Sequence, residues 1–263
     1  MSIEVNRDDR GVLTLRLDRP TARNAIDDAM TAQLVEAFAA AADDDATRVV
    51  LLEGAGGDFC SGADIVARNA PDAPRPRAGS IQRRLPEQAH RLVTLIATVQ
   101  VPVVCKVRGW AAGLGFQLAL AADVTICADD ARFWEPFARR GFTPDSGATW
   151  LLPRRVGEVR ARELLLLGRE LSGTEAAAWG AVHAAVPGPD LDAAVDEVVT
   201  RLASGPTVAL GLTKWLLHEG AGSGLDDQLR REAFALELSS RTEDFREGMS
   251  AFRERRDPRF GGG

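Results

Sequence analysis

The chain has 263 residues, 45% of them hydrophobic and 27% charged, which is enough for one large α/β core or a core with a small appendage. A formal charge of −6 gives no electrostatic reason to expect nucleic acid or an anionic membrane as a partner. Cys60, Cys105 and Cys127 are widely spaced and His90, His183 and His218 are scattered, so the sequence holds neither a disulfide framework nor a metal-binding pattern. No metal is expected, and the thiols read as small buried hydrophobes in a reducing compartment. The segment Met1-Ser2-Ile3-Glu4 has an early acid and no apolar signal core, and the apolar run Ala111 to Ala122 is too short to span a bilayer. The expected location is cytoplasmic.

In chain order, Ile3 and Val5, then Val12, Leu13, Leu15 and Leu17, flank Asp8-Asp9-Arg10-Gly11 and predict a β-hairpin. Asp27 opens an amphipathic helix on which Met30, Leu34, Val35 and Phe38 recur at helical spacing. Arg48 to Glu53 is the next strand, and this succession predicts crossover units with parallel character. Val66 to Pro86 breaks the pattern with Pro71, Pro74, Pro76 and Pro86 among five arginines; it reads as a surface connection before it reads as a substrate lid. A helix is expected over Glu87 to Thr98, a strand over Val99 to Val107, and a helix from about Gly115. Further helices are expected at 160–167, 174–179, 191–203, 207–218 and 225–238. Ser204-Gly205-Pro206 divides a core over 1–203 from a helical region over 204–263, whose last glycines are expected to fray.

Two glycine-bearing turns carry the chemistry, Phe59-Cys60-Ser61-Gly62-Ala63-Asp64 and Gly109-Trp110-Ala111-Ala112-Gly113-Leu114-Gly115-Phe116-Gln117. A strand that ends in such a turn leaves backbone N–H groups unpaired. Two turns brought together could hold one oxygen between two donors, an oxyanion hole for chemistry at a carbonyl. Other readings of the glycines fail. Leu118 stands where a dinucleotide fingerprint needs its third glycine, there is no Gly-Lys-Ser/Thr phosphate loop, and no Gly-x-Ser-x-Gly elbow occurs.

Arg19-Pro20 with Arg23-Asn24-Ala25-Ile26-Asp27, Phe59 to Ile65, Gly109 to Gln117, and Ala131-Arg132-Phe133 with Gly141-Phe142-Thr143-Pro144-Asp145 and Trp150-Leu151-Leu152-Pro153-Arg154 follow one another in order. Together they resemble the crotonase superfamily, the enoyl-CoA hydratases and isomerases. The resemblance implies an α/β spiral of β-β-α units with a C-terminal helical trimerisation region, assembled as a homotrimer or a dimer of trimers. It implies an acyl-CoA thioester as substrate, with CoA entering as part of that substrate and no further cofactor. Carried over by position, the oxyanion donors are the N–H groups of Ala63 and Leu114. Arg23 and Ala25 fall where relatives approach the nucleotide end of CoA, with Lys214 a weaker candidate. Asp64, Ile65 and Gly113 belong to the turns, and Phe116, Trp134, Phe137, Phe142 and Trp150 would shape the acyl pocket.

The resemblance also exposes a departure. The two glutamates of the well-known hydratases fall at Gln117 and Phe137, and neither an amide nor a phenyl ring can act as a general base. One carboxylate remains in a promising place, Asp145, in a Pro-Asp turn like that of isomerases in phenylacetyl-CoA breakdown and near where chlorobenzoyl-CoA dehalogenases carry a nucleophilic Asp. The bland alternative for Asp145 is a helix N-cap. Glu135 is the reserve candidate, with a surface or intersubunit ion pair as its plainer role. A single Asp suffices for a 1,3-proton shuttle, so isomerisation is expected. Hydration with a rearranged acid/base set, Asp-dependent hydrolytic or dehalogenase chemistry, and a non-catalytic CoA-ester scaffold are the alternatives.

Overall fold

The computed structural model describes residues 2–73 and 75–263. Met1 of the N-terminal segment and Pro74 of the proline-rich loop lie outside the described residues. Strands β1 (Ile3–Arg7) and β2 (Val12–Leu17) pair antiparallel, with Ile3 opposite Leu17. Their turn is fixed by Asp8, whose Oδ1 accepts from the Arg10 and Val12 N–H groups, and by Gly11 at φ 79°. Helix α1 (Asp28–Ala42) starts where Asp27 accepts the Met30 N–H at 2.7 Å. It delivers the chain to β3 (Val49–Gly54), which runs parallel to β2.

Two short helices, α2 (Ile65–Arg68) and α3 (Ser80–Arg84), interrupt the Pro/Arg loop before α4 (Ala89–Thr98). The strand expected from Val99 begins only at Val103, as β4 (Val103–Val107). The Val99 N–H still bonds Leu95 O, closing α4, and Pro102 has no N–H to give a ladder. The chain continues through β5 (Trp110–Ala112), α5 (Leu114–Ala121), β6 (Val124–Ala128) and β7 (Arg132–Trp134). Then come α6 (Ala148–Val156), α7 (Glu158–Leu167), β8 (Glu170–Ser172), α8 (Gly173–Ala178) and β9 (Ala184–Val186). The main sheet has the order β1-β2-β3-β4-β6-β9, parallel after the first pair, and β5-β7-β8 form a second sheet. The apolar runs of β3 and β4 are what a covered parallel sheet requires, and Leu15, Leu17, Leu34, Phe38, Leu52 and Ile96 are buried together against them. This is an α/β architecture with a helical C-terminal region, as the resemblance implies.

Helix α9 (Leu191–Ala203) packs on β3, β4 and β6. Helices α10 (Thr207–Gly220), α11 (Leu225–Ser239) and α12 (Glu243–Glu254) complete the chain. Lys214 ties α10 down. It is 7% exposed, and its Nζ donates to Ile96 O at 2.8 Å and Val101 O at 3.2 Å and pairs with Asp123 at 2.8 Å. Its ammonium is therefore committed inside the protein, which removes it as a candidate for a CoA phosphate. The terminal glycines are held rather than frayed: the Asp244 carboxylate accepts the Gly261 and Gly262 N–H groups at 2.7 and 2.9 Å. No helix among the described residues is long and apolar enough to cross a membrane.

Candidate active site

The two glycine turns are stitched together by backbone bonds. Cys60 N donates to Trp110 O at 2.8 Å, Ala112 N to Cys60 O at 2.9 Å and Phe59 N to Arg108 O at 2.7 Å. Such close approach leaves no room for side chains. A Cβ on Gly115 would sit 2.4 Å from Cys60 O, and one on Gly62, whose φ is 98°, would sit 2.7 Å from Ala112 O and 3.7 Å from Leu114 N. The first turn is also bonded to the segment before α1: Ser61 N donates to Arg23 O, Ile26 N to Gly62 O and Asp64 N to Ile26 O. After these bonds are made, the N–H groups of Ala63 and Leu114 have no acceptor among the described residues. Leu114 opens α5, so its N–H also belongs to the positive end of a helix.

Arg23 and Ala25 lie beside this turn because Asn24 is a buried strut. Its Nδ2 donates to Ala55 O at 2.9 Å and Asp58 O at 2.7 Å, and its Oδ1 accepts the Arg19 N–H at 2.8 Å. Arg23 (φ 50°) and Asn24 (φ 54°) both adopt left-handed backbone, and the Arg23 side chain is exposed, 3.7 Å from Asp58. Asp64 braces the turn: it accepts the Ala67 N–H at 3.0 Å and an Arg19 guanidinium N–H at 3.0 Å. The Ala67 bond leads in holding its carboxyl below the usual range, against the effect of burial, with Arg19 adding to it. Ile65 follows, half-buried, as the first residue of α2.

The aromatic candidates separate. A Cβ on Gly113 would lie 4.0 Å from Phe137 Cζ, so the Phe137 ring borders the second turn. Phe142 meets that ring edge-on at 5.5 Å and is 41% exposed. Phe116 packs against Phe133 at 5.0 Å inside the core. Trp134 is on the opposite face of β7 from Phe133, with its indole N–H donating to Gly168 O and its ring 6.1 Å from that of Trp110. Trp150 lies on α6 near His218, with the Arg154 guanidinium 4.0 Å above its ring.

Asp145 is half-buried, and its carboxylate forms no hydrogen bond or ion pair with any described residue. Ser146 (φ 51°) and Gly147 (φ 88°) turn the chain sharply after it. Gly147, not Asp145, occupies the N-cap position of α6, so the capping role is not how this turn is built.

Glu135 is 0% exposed, not the surface or intersubunit ion-pair residue that its isolated charge implied. It faces Gln117, also 0% exposed, with Gln117 Nε2 and Glu135 Oε1 2.6 Å apart. Burial pushes its carboxyl well above the ordinary 4.5; the Gln117 bond opposes this and the charge of Asp145 adds to it. Gln117 Oε1 and Glu135 Oε2 are buried with no partner. Glu135 continues the inward parity of Phe133 beyond the end of β7.

Residues 7–263 match the family model described as Enoyl-CoA hydratase/isomerase. The 1,2-epoxyphenylacetyl-CoA isomerase of Escherichia coli strain K12 is 41% identical over 255 residues, spanning 97% of this chain and 96% of that protein. A probable enoyl-CoA hydratase of Rhodobacter capsulatus is 37% identical over 252 residues, 96% and 95% of the two chains. A crystal structure of an enoyl-CoA hydratase from Bacillus anthracis superposes with a TM-score of 0.93 at 30% identity, covering 100% of both chains.

Proposed function

The chain belongs to the enoyl-CoA hydratase/isomerase family, and from that premise we propose that it moves a carbon–carbon double bond within an acyl-CoA thioester. Asp145 takes a proton from the α or γ carbon, the thioester oxygen becomes an enolate between the Ala63 and Leu114 N–H groups, and the same carboxyl returns the proton at the other carbon. Each preorganised donor contributes about 2.7–4 kcal/mol to such a transition state. The observation that carries this reading is the meeting of two acceptor-free N–H groups with a chain that leaves Asp145 unpartnered. Gln117 and Phe137, at the positions resembling the hydratase glutamates, leave Asp145 as the base. Arg23 and Ala25 take the nucleotide end of CoA, and Phe137 with Phe142 borders a bulky or aromatic acyl group. The name of the Escherichia coli relative supports including aryl acyl groups among the substrates tried.

The buried Glu135 carboxyl favours a second reading, a hydratase whose acid stands two positions before the usual one. Incubating enoyl-CoA esters in D₂O, read by mass spectrometry and NMR, separates the two. Deuterium at the α or γ carbon with a moved double bond is the expected result. A mass gain of one water refutes isomerisation in favour of hydration. The exposed Leu217, Leu225, Phe234, Leu236 and Phe252 on the C-terminal helices support assembly as a homotrimer or dimer of trimers.

A further inference from the structure

We propose that Glu135 is a neutral carboxylic acid that holds its proton against Gln117, leaving Asp145 as the one unpaired negative charge at the site. The separation of 2.6 Å is short for N–H···O, which falls at about 2.7–3.2 Å, and ordinary for O–H···O, at about 2.5–3.0 Å. An amide can be turned over without changing its shape, because its O and N are told apart only by their partners. With the carboxamide turned, Glu135 donates O–H and Gln117 Oε1 accepts, while Gln117 Nε2 takes the buried position that has no partner. The unpartnered Glu135 Oε2 supports the same state, since an ionised carboxylate would present several acceptor sites with only one of them used.

The surroundings contain nothing that would hold a second negative charge. On α5, Gln117 is the only polar side chain, and the turn after β7 brings Asp145, itself an acid. Arg139 and Arg140 pack their guanidinium groups on the Trp134 ring, each 5.7 Å from its centroid. The Gly168 loop approaches the Glu135 carbonyl, and Arg169 beside it turns Nε and Nη2 to Glu163 and Glu175, with Nη1 buried and unpartnered; no cation is among the groups that shift the Glu135 carboxyl. A wholly buried carboxylate with no cation is costly enough that the group keeps its proton.

Glu135 then acts through its neighbours as a positioning residue. It fixes the Gln117 carboxamide and adds no negative charge that would oppose an enolate. This inference deepens the isomerase reading and rests on it for its kinetic consequence alone. In infrared difference spectra of the full chain at neutral pH, wild type minus Glu135→Gln should show the loss of a protonated-carboxyl C=O band. Gln117→Leu, which removes the acceptor, should shift that band to higher frequency. Loss of a carboxylate band instead overturns the proposal. An infrared titration of wild type alone decides the matter if either variant fails to fold: the acid band must persist at neutral pH and fade only in alkali. In rate–pH profiles, Glu135→Gln should lose an alkaline limb and keep the wild-type acid limb; an acid limb displaced to lower pH shows Glu135 ionised in wild type and overturns the proposal. If Asp145→Asn stays active while the acid band is found, the isomerase reading fails and the neutral Glu135 stands.

Discussion

At the scale of single residues, the groups proposed for the chemistry are those left without partners. The Asp145 carboxylate bonds to no described residue, so replacing it should cost chemistry and not the fold. Asp145→Asn is expected to lower kcat by about 10²–10⁴-fold, the usual worth of a positioned general base, with the melting temperature nearly unchanged. A rate unaltered in that variant would remove Asp145 from the mechanism. Glu135 predicts the reverse pattern, an effect visible in stability against pH. Its carboxyl is raised above the ordinary 4.5, so above that value the native state still binds the proton that the unfolded chain has released. The stability contributed by the neutral acid is therefore complete in acid and is lost as pH rises toward the folded value. Denaturant unfolding should show wild type losing stability relative to Glu135→Gln from mildly acid to alkaline pH; a constant difference would refute the shift. The amide at Gln117 and the ring at Phe137 were legible as departures in the sequence. The burial of Glu135 was not, because an acid before Pro136 at a strand end reads equally well facing water.

Among the elements, the glycine turns were legible because strand, small-residue turn and helix follow one another within a few residues. What the sequence could not display was how tightly the turns are pressed together, because that depends on long-range bonds such as Cys60 N to Trp110 O. Gly115→Ala tests the packing. Its Cβ would meet Cys60 O at 2.4 Å and Cys60 Cβ at 2.8 Å, and backbone there cannot yield without moving the donors. A loss of about 1–3 kcal/mol in unfolding free energy is expected, together with a fall in kcat that exceeds any change in KM. Wild-type kinetics in that variant would mean that the turns do not form the oxyanion hole. The strands of the second sheet were not legible in the sequence because three residues are too few to display a period. Helix α12 was missed although Thr242 caps it and Phe245, Met249 and Phe252 recur at helical spacing; these large apolar side chains are exposed on this chain and contribute nothing to the core pattern.

For the whole molecule, the order of the motifs along the chain made the fold legible, while the way the C-terminal helices join the core did not show. Lys214 is the clearest case, since a helix lysine reads as solvated or as a phosphate ligand. Here it reaches inward to the end of α4 and to Asp123 at the entry to β6, where Asp123 also accepts the Val103 N–H at 2.7 Å. Burial pulls the Lys214 ammonium below its usual range and pushes Asp123 up, while their mutual attraction opposes both shifts. Removing only the cation leaves the Ile96 and Val101 carbonyls without their donor and the partly exposed Asp123 without its partner, so Lys214→Met should destabilise the protein by about 1–3 kcal/mol. Adding Asp123→Asn should restore part of that loss, because the amide can still accept from Val103 and no longer needs a cation. If the double variant were as unstable as Lys214→Met, the bonds to Ile96 O and Val101 O, not the ion pair, would account for the loss. The same pair anchors the helices whose apolar residues face outward, which ties it to the proposed assembly. Sedimentation of Lys214→Met under conditions where it remains folded should therefore show weakened subunit association, and an unaltered oligomer would place the interface on other elements than α10 to α12.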